Sequence, residues 1–250
     1  MDEALSQAAT AIQEADAVVA LTGAGVSTAS GIPDFRSEDG LWQKHDPQSF
    51  HFSRFHADPE GFWRDRLSMF EDIYAGGDIA PNDAHVALAA LEAAGHLDTL
   101  ITQNIDGLHR EAGSEDLIEL HGTGAAVACM DCGERADAAP TWEEVKAGNV
   151  PPRCALCDGI VKPAVVLFGE SMPEVAMSRA HSLATSCDVF LVAGSSLSVE
   201  PAASLPRIAA RNGATTIYVN LADTGFDADY TFDADVTDVL PRLVSAVRKP

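Results

Sequence analysis

Short apolar runs alternate along the chain with stretches whose apolar residues recur every three or four positions. The apolar runs predict buried β-strands. These runs lie in ADAVVALTGAG (15–25) and at 98–102, 116–120, 188–194 and 215–220. The helical spacing predicts helices at 2–15, 83–94, 174–186, 201–212 and 238–248. Because strands and helices alternate, the pattern predicts an α/β fold with a doubly wound parallel sheet.

Two segments interrupt this alternation. Residues 35–80 contain many Phe, Trp and His residues with weak helical patterns, and residues 126–161 contain four of the five cysteines. We expect both segments to leave the sheet and to form a smaller domain beside it. The first would be an inserted helical module and the second a metal-binding module. The predicted large domain then consists of residues 1–34, 81–125 and 162–250.

The four clustered cysteines form two C-x2-C pairs separated by 21 residues. They are Cys129, Cys132, Cys154 and Cys157. Two such pairs present four thiolates to one ion, as in a zinc ribbon, and leave no ligand position for water. We therefore predict one structural Zn²⁺, with a redox role for each pair as the alternative. Cys187 lies at the start of a predicted strand, where we expect a small buried hydrophobic residue.

The composition limits what the protein binds. Apolar residues make up 46% of the 250 positions, and no apolar run reaches the roughly 18 residues of a membrane span. The 38 acidic residues exceed the 16 basic ones by 22, which argues against binding to a phosphate backbone, because that affinity comes from Lys and Arg. The N-terminus lacks the basic segment of a signal peptide. We expect a cytoplasmic protein without membrane or direct nucleic-acid contacts, and the acidity suggests a high-salt cytoplasm.

Glycines and polar residues follow the predicted strands, at the edge where open α/β sheets bind ligands. GAGVS (23–27) places glycines where backbone N–H groups can approach a pyrophosphate. TQNIDGLH (102–109), ELHGT (119–123) and AGSSLSVEPA (193–202) follow later strands, and Asn220 closes another. His121 fits a general base, since an unperturbed imidazole has a pKa of about 6.5, and a structural histidine is the alternative. A nicotinamide dehydrogenase is disfavoured, because its fingerprint needs a small residue at position 28 rather than Thr.

Taken together and in this order, these motifs resemble those of the sirtuin family of NAD-dependent protein deacylases. The resemblance covers nearly the whole chain and includes GIPDFR (31–36), the four-cysteine segment, KPAVVLFGE (162–170) and VN (219–220). It implies a Rossmann-like domain, a smaller zinc-ribbon and helical domain, and a cleft between them where NAD meets an acyl-lysine peptide. The implied activity is NAD-dependent deacetylation of protein lysines, which transfers the acyl group to ADP-ribose and releases nicotinamide. The implied cofactors are NAD and one structural Zn²⁺, the partners are acyl-lysine proteins, and we expect a monomer.

The resemblance also assigns roles to residues. It implies His121 as the general base, and Asn104 and Asp106 as residues required for nicotinamide cleavage. The implied cofactor-binding residues are Gly23, Ala24, Gly25, Ser27, Asp34, Phe35, Arg36, Gln103, Asn104, Ile105, Asp106, Gly194, Ser195, Ser196, Asn220 and Val236. Arg36 would contact phosphate, and Phe35 would shield the ribosyl carbon from water. The implied substrate residues are Val166, Phe168, Gly169, Glu170 and Val199.

Trp63 and Arg66 bear on the choice of acyl group. Family members that prefer succinyl or malonyl groups carry Tyr-x-x-Arg in the helical module. The matching stretch here is WRDR (63–66), in which the arginine is present and the tyrosine is replaced by Trp63. A surface arginine is the alternative for Arg66. Desuccinylation, demalonylation, removal of longer acyl groups, mono-ADP-ribosyl transfer and a non-catalytic NAD-binding module therefore stay open as alternatives.

Overall fold

The computed structural model describes residues 2–38, 40–74, 76–222 and 224–247. The strands are β1 (Val18–Thr22), β2 (Thr99–Thr102), β3 (Leu117–Glu119), β4 (Gly122–Cys129), β5 (Arg135–Asp137), β6 (Val161–Val165), β7 (Val189–Ala193), β8 (Thr215–Asn220) and β9 (Tyr230–Asp233). The helices are α1 (Asp2–Glu14), α2 (Phe52–Ala57), α3 (Pro59–Tyr74), α4 (Asp83–Ala93), α5 (Leu108–Glu111), α6 (Ala138–Lys146), α7 (Glu174–Ser186), α8 (Leu205–Arg211) and α9 (Val236–Val247). Short 3-10 helices lie at Ala24–Val26, Thr28–Ser30, Leu41–Gln43, Pro47–Phe50 and Ala202–Ser204.

Six strands form one parallel sheet in the order β3-β2-β1-β7-β8-β9. Every residue of β1 and β7 is buried, because helices cover both faces of the sheet. Successive side chains alternate between the faces: Val18 and Ala20 pack in the cluster with α1, α4 and α9, and Val19 and Leu21 pack with α7 and α8. This arrangement confirms the predicted doubly wound parallel sheet.

The parallel register brings the carboxyl ends of the strands to one edge. Thr22 at the end of β1 pairs with Thr102 on β2 and with Ala193 on β7. His121 follows β3 by two residues, and Asn220 is the last residue of β8. The motifs that follow these strands therefore converge at the edge where open α/β sheets bind ligands.

A second, antiparallel sheet has the order β5-β4-β6. It shares a hydrophobic cluster with α2, α3 and α6. Trp63 lies inside this cluster, where its indole N–H donates to the carbonyl of Val161 at 3.0 Å and its ring lies 5.6 Å from that of Trp142. The strands of this sheet reach from Gly122 to Val165, beyond both ends of the segment 126–161. The division of the chain into three segments stays a prediction.

The structure differs from the predicted elements at several places. The helix predicted at 201–212 is divided into a 3-10 turn and α8, and Pro206, which has no N–H, lies in the first turn of α8. The last helix begins at Val236 rather than at residue 238. The apolar pattern does not predict β9, of which only Phe232 is buried. No helix within the described ranges is long and apolar enough to cross a membrane.

Candidate active site

A cavity of about 1160 Å³ lies between the carboxyl edge of the parallel sheet and helices α3 and α6. The predicted cofactor residues all line it. They are Gly23, Ala24, Gly25, Ser27, Asp34, Phe35, Arg36, Gln103, Asn104, Ile105, Asp106, Gly194, Ser195, Ser196, Asn220 and Val236. His121 lines the same cavity, together with Arg66, Val166, Phe168, Gly169, Glu170 and Val199. Of the predicted catalytic, cofactor and substrate residues, Trp63 alone lies outside this lining, in the cluster described above.

Two glycine turns meet backbone to backbone at the floor of the cavity. The N–H of Gly25 donates to the carbonyl of Gly194 at 2.8 Å, and Gly194 has a left-handed φ of 61°. A Cβ placed on Gly25 would lie 2.8 Å from that carbonyl oxygen, which only glycine avoids. The N–H of Gly23 donates to the carbonyl of Ala193 at 3.2 Å. The N–H of Ala24, between the two, donates to none of the described residues and can therefore bind a ligand.

A directed chain of hydrogen bonds supports Asn104 and Asp106. The N–H of Asn82 donates to Nδ1 of His85 at 3.3 Å, so the proton of His85 is on Nε2, which lies 3.4 Å from the hydroxyl of Ser27. That hydroxyl donates to Asp106 at 2.8 Å and accepts from the amide of Asn104 at 3.1 Å. Burial lowers the pKa of His85, which keeps it neutral. The chain holds both polar groups in one orientation before a ligand arrives.

A second buried chain supports the backbone of Asn104. Thr22 donates to Thr102 at 2.9 Å, so it accepts from Nε2 of His109, which is also at 2.9 Å. Thr102 in turn accepts the N–H of Asn104 at 3.1 Å. Burial lowers the pKa of His109 to about 3, and its Nδ1 has no partner in the described part of the chain. His109 is therefore a neutral, structural donor.

His121 has the geometry of a base that faces the cavity. Its Nδ1 lies 2.8 Å from the carbonyl of Gln103, which can only accept, so the ring proton is on Nδ1 and Nε2 carries the free lone pair. Burial lowers the pKa of His121 below its ordinary 6.5, although the hydrogen bond to Gln103 opposes this shift. The side chain of Gln103 bonds to the hydroxyl of Ser195 at 2.9 Å, which fixes the strand end that orients His121. Near pH 7 the imidazole is neutral and able to take a proton.

The loop after β1 contacts the opposite wall of the cavity through aromatic rings. Asp34 accepts the N–H groups of Arg36 and of residue 37, both at 2.8 Å, which shapes the turn. The ring of Phe35 lies 5.1 Å from Trp42, and Trp42 lies 5.8 Å from Phe168. Phe35 and Phe168 therefore belong to one continuous aromatic wall. Arg36 is exposed at the rim and has no ion-pair partner among the described residues.

Helices α3 and α6 form an apolar side of the cavity with one charge in it. Phe70 stacks on Trp142 at 4.5 Å and on Tyr74 at 4.3 Å. Arg66 lies one helical turn before Phe70 and is half-buried, and burial lowers its pKa to about 10. Within the described ranges Arg66 has no ion-pair partner. We call this apolar side of the cavity the apolar chamber. Trp63 faces away from it and therefore does not contact an acyl group bound there.

The four clustered cysteines fit a tetrahedral metal ion. Their Sγ atoms lie within 4.8 Å of one another, with 3.5 Å between Cys129 and Cys157 and 3.7 Å between Cys132 and Cys154. A tetrahedron with Zn–S bonds of about 2.3 Å has sulfur atoms about 3.8 Å apart. A Cβ on Gly159 would lie 2.9 Å from the sulfur of Cys129, so a glycine at this position leaves room for the cysteine cluster. These residues would hold one structural Zn²⁺.

Three groups of residues near the site are absent from the sequence predictions. Asn82 and His85 cap α4, and the pattern N-x-x-H at a helix start is the signal that precedes them. Trp42 follows the loop 34–38 and is recognisable only by its aromatic neighbours. Lys162 opens the motif KPAVVLFGE (162–170), but nothing in that motif indicates that this lysine is buried, as it is in the structure.

Comparison with known proteins gives one consistent result. The sequence model of the Sir2 family matches residues 23–201. An NAD-dependent protein deacetylase of Haloarcula marismortui is 56% identical over 245 residues, which cover 97% of this chain and 94% of that protein. NAD-dependent protein deacylase 2 of Archaeoglobus fulgidus is 42% identical and covers 100% of this chain and 98% of its own length. A solved Sir2 structure with a deacetylated p53 peptide and 3′-O-acetyl-ADP-ribose is 36% identical, has a TM-score of 0.87, and covers 96% of this chain and 97% of that one.

Proposed function

This chain belongs to the Sir2 family and is an NAD-dependent protein deacylase, and from that premise we propose which residues perform the reaction and which acyl group they remove. The proposed activity is deacetylation of protein lysines, with transfer of the acetyl group to ADP-ribose and release of nicotinamide. The observation that carries it is the free Nε2 of His121 in the same cavity as the supported Asn104 and Asp106. We further propose that the protein acts in the cytoplasm as a monomer.

When bound, NAD would supply an electrophilic ribosyl carbon and nicotinamide as its leaving group. In this proposal Asn104 and Gln103 hold the nicotinamide ribose, and Asp106 and Ile105 bind the carboxamide. The hydrogen bonds of Ser27, which donates to Asp106 and accepts from Asn104, support these roles, because they orient the two polar groups before the reaction begins. Ala24, Ser195 and Ser196 bind phosphate, and Asn220 and Val236 bind the adenosine end.

His121 removes a proton from a ribose hydroxyl, whose oxygen then attacks the acyl carbon. The bond between that carbon and the lysine nitrogen breaks and water completes the reaction, which releases free lysine and O-acyl-ADP-ribose. The proton acceptor is Nε2, because the carbonyl of Gln103 holds the other nitrogen in its protonated form. The lowered pKa keeps the imidazole unprotonated at neutral pH. Such bases contribute roughly 10²–10⁴-fold to the rate. Phe35 excludes water from the ribosyl carbon, which prevents hydrolysis of NAD.

A carboxyl-bearing acyl group is the second candidate substrate, and Arg66 is the observation that favours it. The guanidinium lines the apolar chamber and has no carboxylate partner within the described residues. A succinyl or malonyl carboxylate would supply that partner through two parallel hydrogen bonds. The tyrosine of the Tyr-x-x-Arg pattern has no substitute in Trp63, which is turned away, whereas Tyr74 lines the same chamber.

One experiment tests both candidates. The purified protein is incubated with NAD and one peptide that carries acetyl-, butyryl- or succinyl-lysine, and nicotinamide and deacylated peptide are measured. We expect one nicotinamide per acetyl group removed, and Arg66→Met should lower only the turnover of the succinyl peptide. ADP-ribose attached to protein without deacylation would instead indicate a mono-ADP-ribosyltransferase. NAD binding without nicotinamide release would indicate a non-catalytic module.

A further inference from the structure

Lys162 is a buried lysine in strand β6. The chain has four lysines, and this one is 6% exposed. Its Nζ donates to the carbonyl of Val165 at 2.6 Å and to Oε2 of Glu170 at 3.0 Å. Burial lowers the pKa of Lys162, and the hydrogen bond to Glu170 opposes that shift. Because a buried charge is costly unless it is paired, the charged form of Lys162 depends on Glu170.

Glu170 closes a ring of hydrogen bonds around residues 165–170, which we call the substrate segment. The same Oε2 accepts the N–H of Leu167 at 2.9 Å, and the N–H of Glu170 donates to the carbonyl of Leu167 at 3.0 Å. The side chain of Glu170 is 22% exposed, so these bonds are largely shielded from water. One carboxylate therefore ties the middle of the segment to β6.

The substrate segment connects the proposed base to the acyl wall. The N–H of Val166 donates to the carbonyl of His121 at 2.8 Å. The carbonyl of Phe168 accepts from Phe52 at 2.9 Å, and its N–H donates to Phe50 at 3.3 Å. The carbonyl of Val166 accepts no hydrogen bond from the described residues and is available to a ligand. A displaced segment would move this acceptor and the Phe168 ring relative to His121.

We propose that Lys162 and Glu170 are a positioning pair that holds the substrate segment in the shape required to bind the backbone of an acyl-lysine peptide. This inference rests on the proposed function. An extended peptide that adds to such a segment gains affinity from main-chain hydrogen bonds. Lys162 is absent from the cavity lining, whereas Glu170 lines it, so Lys162 acts through Glu170 and the backbone of the segment. Its effect should appear in peptide capture rather than in the chemical step.

The chain contains a matched pair that lacks this role. Lys146 and Glu143 on α6 also lie 3.0 Å apart, but their side chains are 44% and 74% exposed. Such an exposed pair contributes little and is screened by salt. The pair of Lys162 and Glu170 is shielded, so its effect on peptide binding should persist at high ionic strength.

The test compares Lys162→Met and Glu170→Gln with the control Lys146→Met. Two substrates are used: a peptide of about ten residues with a central acetyl-lysine, and acetyl-lysine blocked at both ends without flanking residues. For both test variants we expect KM for the peptide to rise on the order of tenfold to a hundredfold. For Lys162→Met, whose side chain does not line the cavity, the kcat, the KM for NAD and kcat/KM for the blocked acetyl-lysine should change less than about threefold. The control should match wild type throughout.

Lys162→Arg keeps the charge and should restore most of the peptide affinity. If Lys162→Met does not fold, Glu170→Gln and Lys162→Arg still decide the question, because they keep the hydrogen-bonding groups. An equal loss on both substrates, or a loss confined to kcat, would show a merely structural role and overturn the proposal. A wild-type protein that deacylates neither substrate would overturn the proposed function instead.

Discussion

The parallel sheet and the small antiparallel sheet are stabilised by different means. Every residue of β1 and β7 is buried between two layers of helices, whereas all three residues of β5 are exposed and β4 has only two buried residues, Val127 and Cys129. The first sheet is therefore stabilised mainly by the burial of its apolar side chains. The second depends on one aromatic cluster and on four cysteines that fit a metal ion. The comparison shows that a strand with few buried apolar residues, such as β5, can still form part of a sheet when other contacts hold that sheet together.

The largest expected effect is the loss of the small sheet without its metal. Zinc bound by thiolates contributes on the order of 10 kcal/mol to the folding of small modules. We expect Cys129→Ala to lose zinc, deacylase activity and the protection of β4–β6 amides from hydrogen exchange, while β1 and β7 stay protected. Metal analysis together with hydrogen exchange measures both. Cys187→Ala, in the core of the parallel sheet, is the control and should keep zinc and activity. Active wild-type protein with less than about half an equivalent of zinc would contradict the assignment.

The next effect concerns His121, which lies at the junction of the two sheets. We expect His121→Ala to lower deacylation by about 10²–10⁴-fold while NAD affinity changes only a few-fold, because the base acts after the cofactor is bound. The wild-type kcat/KM should fall as the pH is lowered and the ring is protonated, with a midpoint below the ordinary histidine pKa of 6.5. His181→Ala on the exposed side of α7 should behave as wild type. Retention of more than about a hundredth of the turnover would refute the role of His121.

A third effect should destabilise the parallel sheet in acid. The pKa of His109 is about 3 in the folded protein and 6.5 when exposed, so above pH 6.5 it is neutral in both states. Below pH 6.5 only the unfolded chain takes up this proton, and the free energy of unfolding falls by about 1.4 kcal/mol per pH unit until the folded pKa is reached. Urea unfolding at pH 7, 6 and 5 should show this slope in wild type and a shallower one in His109→Gln. Equal slopes in both proteins would rule out this origin.

The smallest expected effect is that of salt on the melting temperature, which tests whether repulsion between acidic residues lowers the stability. The net charge is −22, so the acidic residues repel one another. This repulsion is screened beyond about 10 Å at 0.1 M salt and beyond about 3 Å at 1 M. We expect the melting temperature to rise by a few degrees between 0.05 and 2 M KCl, because the 16 bases form too few ion pairs to offset the relief of repulsion. Sucrose of equal osmolarity should reproduce little of the early rise. A flat or falling melting temperature would leave the acidity as a solubility feature.

The apolar pattern of the sequence predicted those strands that are buried on both faces of the sheet. The runs around Val19, Leu100 and Phe190 become β1, β2 and β7 because helices cover both faces of the sheet. β9 and β5 escape prediction because one or none of their residues is buried, so no apolar period distinguishes them from loops. Their pairing is set by neighbouring strands, which are remote in sequence.

The sequence predicted the site residues that directly follow strand ends. It did not predict the residues that only support other side chains of the site. The loop motifs all reach the cavity, since parallel strands end at one edge. The roles of His85 and Lys162 do not follow from the sequence, because the contacts of His85 with Ser27 and of Lys162 with Glu170 are formed only in the fold. Trp63 and Arg66 are three residues apart on α3, yet only Arg66 lines the cavity, because the indole pairs with Val161. Helical spacing alone does not resolve such a choice.

The burial of Lys162 has a consequence for an enzyme that works on modified lysines. Reactive acyl donors modify amines that are neutral and exposed, and the Lys162 amine is charged, bonded to a carboxylate and a carbonyl, and closed to solvent. Of the other three lysines, Lys44 and Lys146 are exposed, and Lys249 lies outside the described residues. The protein thus offers few amines for its own modification.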